Sequence, residues 1–341
     1  MALTKCHTIG GSDDLLTRVR GAVAFIFIWG LGEFVGPFSP LLLMISAVLA
    51  PWFVTAAFAA VMIYPFLVPE ESLYSPAFCR FALSMAGWLK GGSSIWVADD
   101  VLAKLPDDRL KKGGFMVCYH PHGVIPLGFS LNGAIRARAK HPEALPPWLR
   151  FDSSVSGVQA PVLFNVPLLR WILLGFGCCV PATKAGVQRL LRTRTTFGII
   201  PGGSEEVAIH ENGKENIYLR ERAGFIKYAL QHGYTLLVSF TFGESDLYHS
   251  SSRVRPLNLW LVKRFGFVLP IFAGFPFFPL LPRTDVPLHS VLGAALELPR
   301  IEEPTQSDVE KWHATYMRAL EQLFDEHKAQ FGYADRKLNF F

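Results

Sequence analysis

The sequence predicts an α/β fold, a mixed sheet flanked by helices, with a hydrophobic membrane hairpin near its amino-terminal end. Short apolar runs alternate with amphipathic helical runs from residue 113 onward, which is the order of βαβ units. Upstream, residues 21–69 contain one charged side chain, Glu33. The 341 residues suffice for one large domain. We therefore expect a cytosolic amino-terminal tail (1–20), a hairpin (21–69) and a main domain (70–341).

The apolar segment is long enough to enter a bilayer twice. Residues 41–68 carry no charge and exceed the ~20 apolar residues that a helical span requires, whereas 21–35 is somewhat short. The stretch "GEFVGPFSP" (32–40) between them is rich in glycine and proline and predicts the reversal. Two spans and a re-entrant wedge both remain open. A buried helix pair in a soluble core is the alternative, and the lack of polar patterning favours the membrane.

Charge and cysteine content indicate the compartment. Lys5, Arg18 and Arg20 precede the hairpin, so the positive-inside bias predicts a cytosolic amino terminus, and a hairpin returns the rest of the chain to that side. Five cysteines without a CxxC pair suit a reducing compartment. The net charge of +5 fits an anionic membrane surface or a phosphate-bearing substrate, and no basic run indicates nucleic acid.

The sheet elements follow from short patterns. "FMVCYH" predicts a buried strand followed by a helix over 128–140. "FGIIP" (197–201) predicts a strand followed by a short helix beginning near Ser204. "RAGFIKYALQHG" predicts a helix closed by Gly233, and "TLLVSFTF" predicts the next strand.

Three further segments complete the prediction. A long amphipathic helix near the carboxyl end begins at a cap, Thr305 or Ser307, and stops at Gly332. Residues 78–89 predict an amphipathic or interfacial helix. The Phe- and Pro-rich run 272–281 predicts an apolar loop or a membrane-facing rim.

Two histidines flank a proline in "YHPHG" (119–123), where the predicted strand ends. Strand ends are the usual position of active sites in α/β proteins, and a histidine near neutral pH can take a proton from an alcohol. His122, farther from the buried strand, is the candidate base, while His120 orients the site or lines it, and Gly123 allows the turn. Two structural histidines are the alternative. We expect Cys118 to be a core residue on the face opposite both histidines.

The stretch "IIPGGSEEVAIHENG" is the second candidate segment. Backbone N–H groups of Gly202 and Gly203 can approach a substrate oxygen closely, and Ser204 is in the position of a helix cap. A carboxylate here can orient an imidazole, which makes Glu206 the candidate partner of His122. Plain helix capping is the alternative, and it explains the double glycine less well.

Arg220, Arg222 and Lys227 bracket the next predicted helix. Such cations can pair with the phosphates of a nucleotide-bearing acyl donor. The alternative for each is solvated surface charge. A metal site is not expected, because no third ligand stands at metal-binding spacing from the histidines.

Taken in order, these segments resemble the type-2 diacylglycerol acyltransferase family, which includes monoacylglycerol and wax-alcohol acyltransferases. The matching pieces are "YHPHG", "GGSEE", "LRERAGFIKYALQHG", "FGESDLY" and "PTQSDVEKWHATYMRALEQLFDEHKAQFG", over roughly residues 113–333. The resemblance implies a glycerolipid-acyltransferase-like fold, with 70–341 as the catalytic acyltransferase domain. It carries the essential histidine to His122 and the conserved glutamate to Glu206. The chain departs from the family where "IWVADDVLAKL" replaces its Tyr-Phe-Pro and "AGFPFFP" replaces its Gly-Arg motif.

The resemblance implies acyl transfer from acyl-CoA to diacylglycerol, giving triacylglycerol at the endoplasmic reticulum membrane, with the catalytic part cytosolic, and at the lipid droplet surface. Its expected partners are acyl-CoA, diacylglycerol and the lipid bilayer, without nucleic acid, and a homo-oligomer is left open. No cofactor is expected, since acyl-CoA is a co-substrate. The alternatives are a monoacylglycerol or wax-alcohol acceptor, a thioesterase, or a non-enzymatic lipid-droplet scaffold. A phospholipid-type acyltransferase with His-x4-Asp is disfavoured, because Ile125 and Leu127 stand at the aspartate positions.

Overall fold

The computed structural model of the chain describes residues 2–11, 14–99, 101, 113–139, 155–266, 268–269 and 271–341. The last residue of the predicted 128–140 helix and much of "IWVADDVLAKL" lie outside the described residues.

The described strands share extended backbone and pair into sheets. They are β1 Leu3–Ile9, β2 Ser93–Ala98, β3 Phe115–His120, β4 Val155–Gln159, β5 Cys179–Pro181, β6 Thr196–Ile199, β7 Glu215–Ile217, β8 Thr235–Phe242, β9 His249–Ser250, β10 Phe272–Ala273, β11 Leu288–Glu297 and β12 Leu338–Phe340.

The described α-helices are α1 Leu15–Phe25, α2 Ser39–Leu49, α3 Trp52–Leu67, α4 Pro76–Leu83, α5 Leu127–Asn132, α6 Ala134–Arg138, α7 Pro167–Phe176, α8 Lys184–Arg192, α9 Gly203–Ala208, α10 Gly224–His232, α11 Arg255–Phe265 and α12 Gln306–His327. A π-helical segment, Ile26–Val35, and a 3-10 turn, Gly36–Phe38, connect α1 to α2.

The main sheet confirms the predicted mixed α/β fold. Its eight strands lie in the order β1-β2-β11-β8-β3-β6-β4-β5. The run from β8 to β5 is parallel, β11 is antiparallel to β8, and β1 is antiparallel to β2. Both faces of β3 are buried, with Val117 and Tyr119 in one core and Met116 in the other, as expected for a central parallel strand.

The carboxyl-terminal helix α12 covers one face of the sheet, against β8 and β11. Its predicted cap is confirmed. Thr305 accepts the Asp308 N–H, and the Asp308 carboxylate accepts the Thr305 N–H in return, which is a capping box. The helix ends at His327, before the predicted stop at Gly332, which has a positive φ of 86° in the following turn.

The other face is covered by shorter helices than expected. The predicted 128–140 helix is two helices, α5 and α6, divided at Gly133. A Cβ at Gly133 would collide with the Phe129 carbonyl, so the backbone approaches too closely there for a larger residue. Residues 78–89 were expected to form an amphipathic or interfacial helix. They lie in α4 and the following 3-10 turn and are mostly buried in the core, with Cys79, Ala82 and Ala86 fully inaccessible, so they are not interfacial.

The reversal predicted at 32–40 is wrong. Leu15–Leu49 is a continuous helical segment of 35 residues, and the chain turns back at Ala50 and Pro51, which are extended. Pro37 and Pro40 do not break this segment, because each stands in the first turn of a helix, where a missing N–H loses no bond. Ser46 Oγ and Thr55 Oγ1, 2.9 Å apart, join α2 to α3 across the new reversal. From here on, the hairpin means Leu15–Leu49 together with Trp52–Leu67, which replaces the predicted range 21–69.

The hairpin has the exposed apolar surface of a membrane-associating element. Within the described residues, Leu15–Leu49 is the one helix that is long and apolar enough to cross a bilayer, and a third of its most apolar stretch is buried in the fold. Around the reversal, Val48, Leu49 and Trp52 are each about 80% exposed. Apolar patches of this extent mark an interaction surface.

The expected amino-terminal tail contains the edge strand of the sheet. Leu3–Ile9 pairs antiparallel with Ser93–Ala98, on the far side of the hairpin in sequence. Both ends of the hairpin are therefore attached to the same sheet edge.

Candidate active site

The two predicted histidines lie where β3 leaves the sheet. His120 is the last residue of β3, and its peptide bond to Pro121 is cis. Gly123 has a φ of 66°, and a Cβ there would stand 2.9 Å from the Glu244 side chain. The turn therefore requires glycine, and α5 begins four residues later, at Leu127. We call residues 121–126 the histidine loop.

Glu206 holds the histidine loop through its main chain. The His122 backbone N–H donates to Glu206 Oε1 at 2.7 Å, and the Tyr218 backbone N–H donates to Oε2 at 3.1 Å. The carboxylate is 1% exposed. Glu206 thus contacts His122 as predicted, but the recorded bond is to its peptide and not to its imidazole.

The His122 ring is oriented by its own loop. Nδ1 lies 3.2 Å from the Gly123 carbonyl oxygen. Because a carbonyl only accepts, Nδ1 is the donor in this bond, and the lone pair of the neutral ring is on Nε2. Burial lowers the pKa of His122 below its ordinary 6.5, while the charge of Glu206 opposes that shift. The ring is partly buried and neutral at physiological pH, the state that a general base needs.

His120 is a fully buried residue beside Glu206. Its Nε2 lies 2.9 Å from the Tyr316 hydroxyl of α12, and its Nδ1 lies 3.9 Å from Glu206 Oε1. With no exposed surface, it touches the group that holds the loop and does not face an entering substrate. This geometry suits the orienting role predicted for it.

Cys118 is a core residue, as predicted, but the expected face is wrong. Its thiol and His120 both contact the Tyr316 hydroxyl, so the two side chains share one face. The period of a strand is two residues, so positions 118 and 120 must point the same way. Burial raises the pKa of the Cys118 thiol, which keeps it protonated and unreactive.

The double glycine makes room for the Glu206 carboxylate. A Cβ at Gly202 would collide with that carboxylate. The Gly203 N–H donates to the Ile200 carbonyl at 3.1 Å, which occupies one of the two predicted donors. The helix begins at Gly203 with no side-chain cap bond, so the prediction of Ser204 as the capping residue is wrong. Ser204 lies in the first turn and is partly buried.

Of the three predicted cations, Arg220 and Lys227 are exposed and Arg222 is partly buried. Arg222 pairs with Glu205, the neighbour of Glu206. The backbone N–H of Arg220 donates to the Phe341 carbonyl, which ties this segment to the carboxyl-terminal strand β12. Lys227 is exposed on α10. Only Arg222 is thus linked to the site by a recorded contact among the described residues.

Glu244, which the sequence analysis assigned no role, is a second buried carboxylate on the histidine loop. Its Oε1 accepts the Leu127 N–H at 2.8 Å and its Oε2 accepts the Gly128 N–H at 2.6 Å. These are the first N–H groups of α5, so Glu244 occupies the acceptor position at the start of that helix. Glu206 therefore holds the start of the loop and Glu244 holds its end. The "FGESDLY" segment was the available signal, although its spacing alone does not indicate this contact.

The Glu244 contact predicts a pH-dependent stability. Burial raises the pKa of Glu244 from 4.5 to about 8, although the two N–H bonds oppose the shift. Between those values the unfolded chain releases the proton and the folded chain retains it, so the free energy of unfolding should fall as the pH rises. Glu244→Gln should remove the contribution of Glu244 to this pH dependence. That contribution is a slope in the free energy of unfolding of up to ~1.4 kcal/mol per pH unit. Denaturant unfolding in detergent at a series of pH values measures it.

The wild-type slope alone does not identify the residue, because burial also raises the pKa of Glu215. The difference between wild type and Glu244→Gln isolates Glu244. Parallel curves for the two proteins over this pH range would contradict the assignment.

His210 is a buried histidine with a polar contact at each ring nitrogen. Its Nδ1 is 2.7 Å from Ser250 Oγ, its Nε2 is 3.2 Å from the Ser245 carbonyl oxygen, and burial lowers its pKa to about 4.

A cavity of about 400 Å3 is lined by Glu215, Arg255 and other residues, but by neither predicted histidine. Within the described residues, no group of three His, Cys, Asp or Glu side chains is arranged to hold a metal ion.

Comparisons with known proteins agree with the motifs. The family model described as diacylglycerol acyltransferase matches residues 48–340. The chain is 32% identical over 250 residues to acyl-CoA wax alcohol acyltransferase 1 of Homo sapiens, covering 69% of this chain and 72% of that protein. It is 33% identical over 238 residues to diacylglycerol O-acyltransferase 2 of Bos taurus, covering 65% of this chain and 63% of that protein, which is less than two thirds of the relative's length.

A solved structure also aligns with this chain. It is the 1-acyl-sn-glycerophosphate (LPA) acyltransferase PlsC of Thermotoga maritima. The alignment covers 90% of this chain and 97% of the PlsC chain, with 13% sequence identity and a TM-score of 0.41. The assignment rests on the family match, which spans most of the chain. The chain belongs to the diacylglycerol acyltransferase family.

Proposed function

We propose that this protein transfers a fatty acyl group from acyl-CoA to the free hydroxyl of diacylglycerol, giving triacylglycerol and CoA. The observation that carries the proposal is a neutral, partly buried histidine whose loop is held by the buried side chains of Glu206 and Glu244, in a chain of this family. We propose the endoplasmic reticulum membrane, with the catalytic part in the cytosol, and the lipid droplet surface as its locations. Acyl-CoA is the co-substrate, and no further cofactor is invoked.

In the proposed reaction, His122 Nε2 takes the proton of the acceptor hydroxyl. The hydroxyl oxygen attacks the thioester carbonyl and forms a tetrahedral oxyanion. When that intermediate collapses, the carbon–sulfur bond breaks and CoA leaves as a thiolate, to which the imidazolium can return the proton. Backbone N–H groups of Gly123 and Gly202 are the candidate donors to the oxyanion, and each donor of this kind contributes roughly 10²–10³ in rate.

A second acceptor class has specific support. Identity to the wax alcohol relative, 32%, is about the same as identity to the diacylglycerol relative, 33%. A long-chain alcohol presents the same nucleophile to the same base, so only the acceptor pocket separates the two functions. Monoacylglycerol is a third acceptor of the same chemistry.

The test is an acceptor panel. Microsomes containing the full chain are incubated with labelled oleoyl-CoA and with a monoacylglycerol, a diacylglycerol or a long-chain alcohol. We expect the highest kcat/KM with diacylglycerol, and triacylglycerol as the labelled product. A preference for the long-chain alcohol would replace the first proposal with the second.

Two further outcomes would reject acyl transfer altogether. CoA release at the same rate without an acceptor indicates a thioesterase, since water then replaces the alcohol. Absence of labelled product with every acceptor, from a folded and membrane-bound protein, indicates a scaffold.

A further inference from the structure

A second exposed apolar surface lies outside the hairpin, on α11 and the segment after it. Phe277 is 90% exposed, an extreme value for a large aromatic side chain. We call this surface the docking patch. Its members are Leu257, Trp260, Phe265, Leu269, Ile271, Phe277 and Phe278, each at least 39% exposed.

The docking patch is attached to the helix that supports the site. Helix α11 packs on α9, which carries Glu206. Asn258 and Val262, one turn apart, are its buried residues, while Leu257 and Trp260 point away from the core at 50% and 56% exposure. The face of α11 that carries Leu257 and Trp260 is therefore exposed in the part of the chain that the structure describes.

The loop of the docking patch contacts the hairpin. The Phe34 ring in the hairpin lies 5.7 Å from the Phe272 ring, and Phe272 lies 4.9 Å from Tyr248 of the main domain. Trp88 and Phe275 are in edge contact at 5.1 Å. These contacts fix the 272–278 loop, which carries Phe277 and Phe278, beside the hairpin.

The charges around the docking patch fit a lipid headgroup layer. Arg253, Lys263 and Arg264 are exposed on α11 and the turn before it. Cations beside an exposed tryptophan are typical of helices that lie in the membrane interface, where the aromatic ring enters the acyl boundary and the cations contact anionic headgroups.

We propose that the docking patch is a second membrane contact, which lies in the headgroup–acyl boundary of an anionic bilayer next to the hairpin. The hairpin holds the chain on the membrane, and the docking patch orients the main domain on it, with α11 and α9 toward the lipid. This assignment does not depend on which acceptor the enzyme uses.

Fluorescence quenching in the full chain tests the contact. Cys6 and Cys179, the partly exposed cysteines, are replaced by serine, and Phe277→Cys is labelled with an environment-sensitive dye. The protein is reconstituted into vesicles of phosphatidylcholine with phosphatidylserine. We expect loss of most of the emission when the acyl chains are brominated, and protection from aqueous iodide. The matched control is Arg318→Cys on the exposed face of α12, which should respond to iodide alone.

The outcomes separate the bilayer from other occupants. Iodide quenching at position 277 equal to that at position 318 would show a water-exposed loop and overturn the proposal. Protection from both quenchers would show a protein neighbour, such as a second copy, and would also overturn it. None of these quenching measurements requires catalysis. Their outcome is therefore independent of the outcome of the acceptor assay.

A charge variant gives an independent reading. Lys263→Glu with Arg264→Glu should reduce the bromolipid quenching at position 277 in anionic vesicles and leave it unchanged in pure phosphatidylcholine. Lys311→Glu with Arg318→Glu, on the exposed face of α12, is the matched pair and should have no effect. Equal loss in both pairs would refute the headgroup contact.

Discussion

Replacing His122 by alanine should lower kcat for acyl transfer by about 10²–10⁴-fold, the contribution of a general base. Acceptor binding should change little, because the backbone N–H of residue 122 still donates to Glu206. The measurement is single-turnover transfer from labelled acyl-CoA to diacylglycerol in detergent micelles. A variant that retains wild-type kcat would assign the base to another residue.

The matched control is His249→Ala. His249 is exposed and lies on β9, outside the histidine loop, so this substitution should leave kcat near the wild-type value. Equal melting temperatures of the two variants would show that the loss at position 122 is chemical and not a loss of fold.

The pH profile gives a second reading of the same residue. Burial lowers the pKa of His122 below 6.5, and the base must be neutral to act. The acidic limb of kcat/KM should therefore lie below the ordinary histidine range, and transfer should persist into mildly acidic buffer. A limb at or above 6.5 would contradict the buried, neutral base.

Replacing Glu206 by alanine should cost both stability and rate. It leaves the backbone N–H groups of His122 and Tyr218 buried without their acceptor, a loss of roughly 1–3 kcal/mol for each. The histidine loop loses its anchor, and a shift of about 1 Å at a reacting atom can cost about 10²-fold in kcat. Thermal unfolding and kcat are measured on the same preparations.

Glu206→Gln distinguishes this positioning role from a purely structural one. The amide keeps one acceptor oxygen but removes the charge that raises the pKa of His122. The acidic limb of the pH profile should therefore move to still lower pH. Glu205→Gln, which pairs with Arg222 instead, is the matched control and should leave the limb in place. If the acidic limb does not move in Glu206→Gln, the charge of Glu206 does not influence the pKa of the catalytic base.

Local patterns predicted the elements around the site. Apolar runs bounded by glycine placed β3, β6 and β8, and Gly233 closes α10 in the left-handed conformation as predicted. These signals lie within a few residues of each other, where propensity and burial act together. The same holds for the Thr305 cap of α12.

The contacts that position the site join distant parts of the chain and leave no local pattern. Tyr316 is 196 residues from His120, and Glu244 is 117 residues from Leu127. The choice between a main-chain and an imidazole bond for Glu206 depends on the path of the loop, which residue spacing does not determine. The hairpin reversal was misplaced for a different reason, since the prolines at 37 and 40 are compatible with starting a helix and were interpreted as turn residues.

The edge strand Leu3–Ile9 imposes an order on biosynthesis. It leaves the ribosome before the apolar segment, but its partner Ser93–Ala98 follows that segment, and domains fold as their parts become available during synthesis. The strand can therefore pair only after the intervening helices have been synthesised. Pairing of these two strands is thus a late step, which completes this edge of the sheet once residues 93–98 are available.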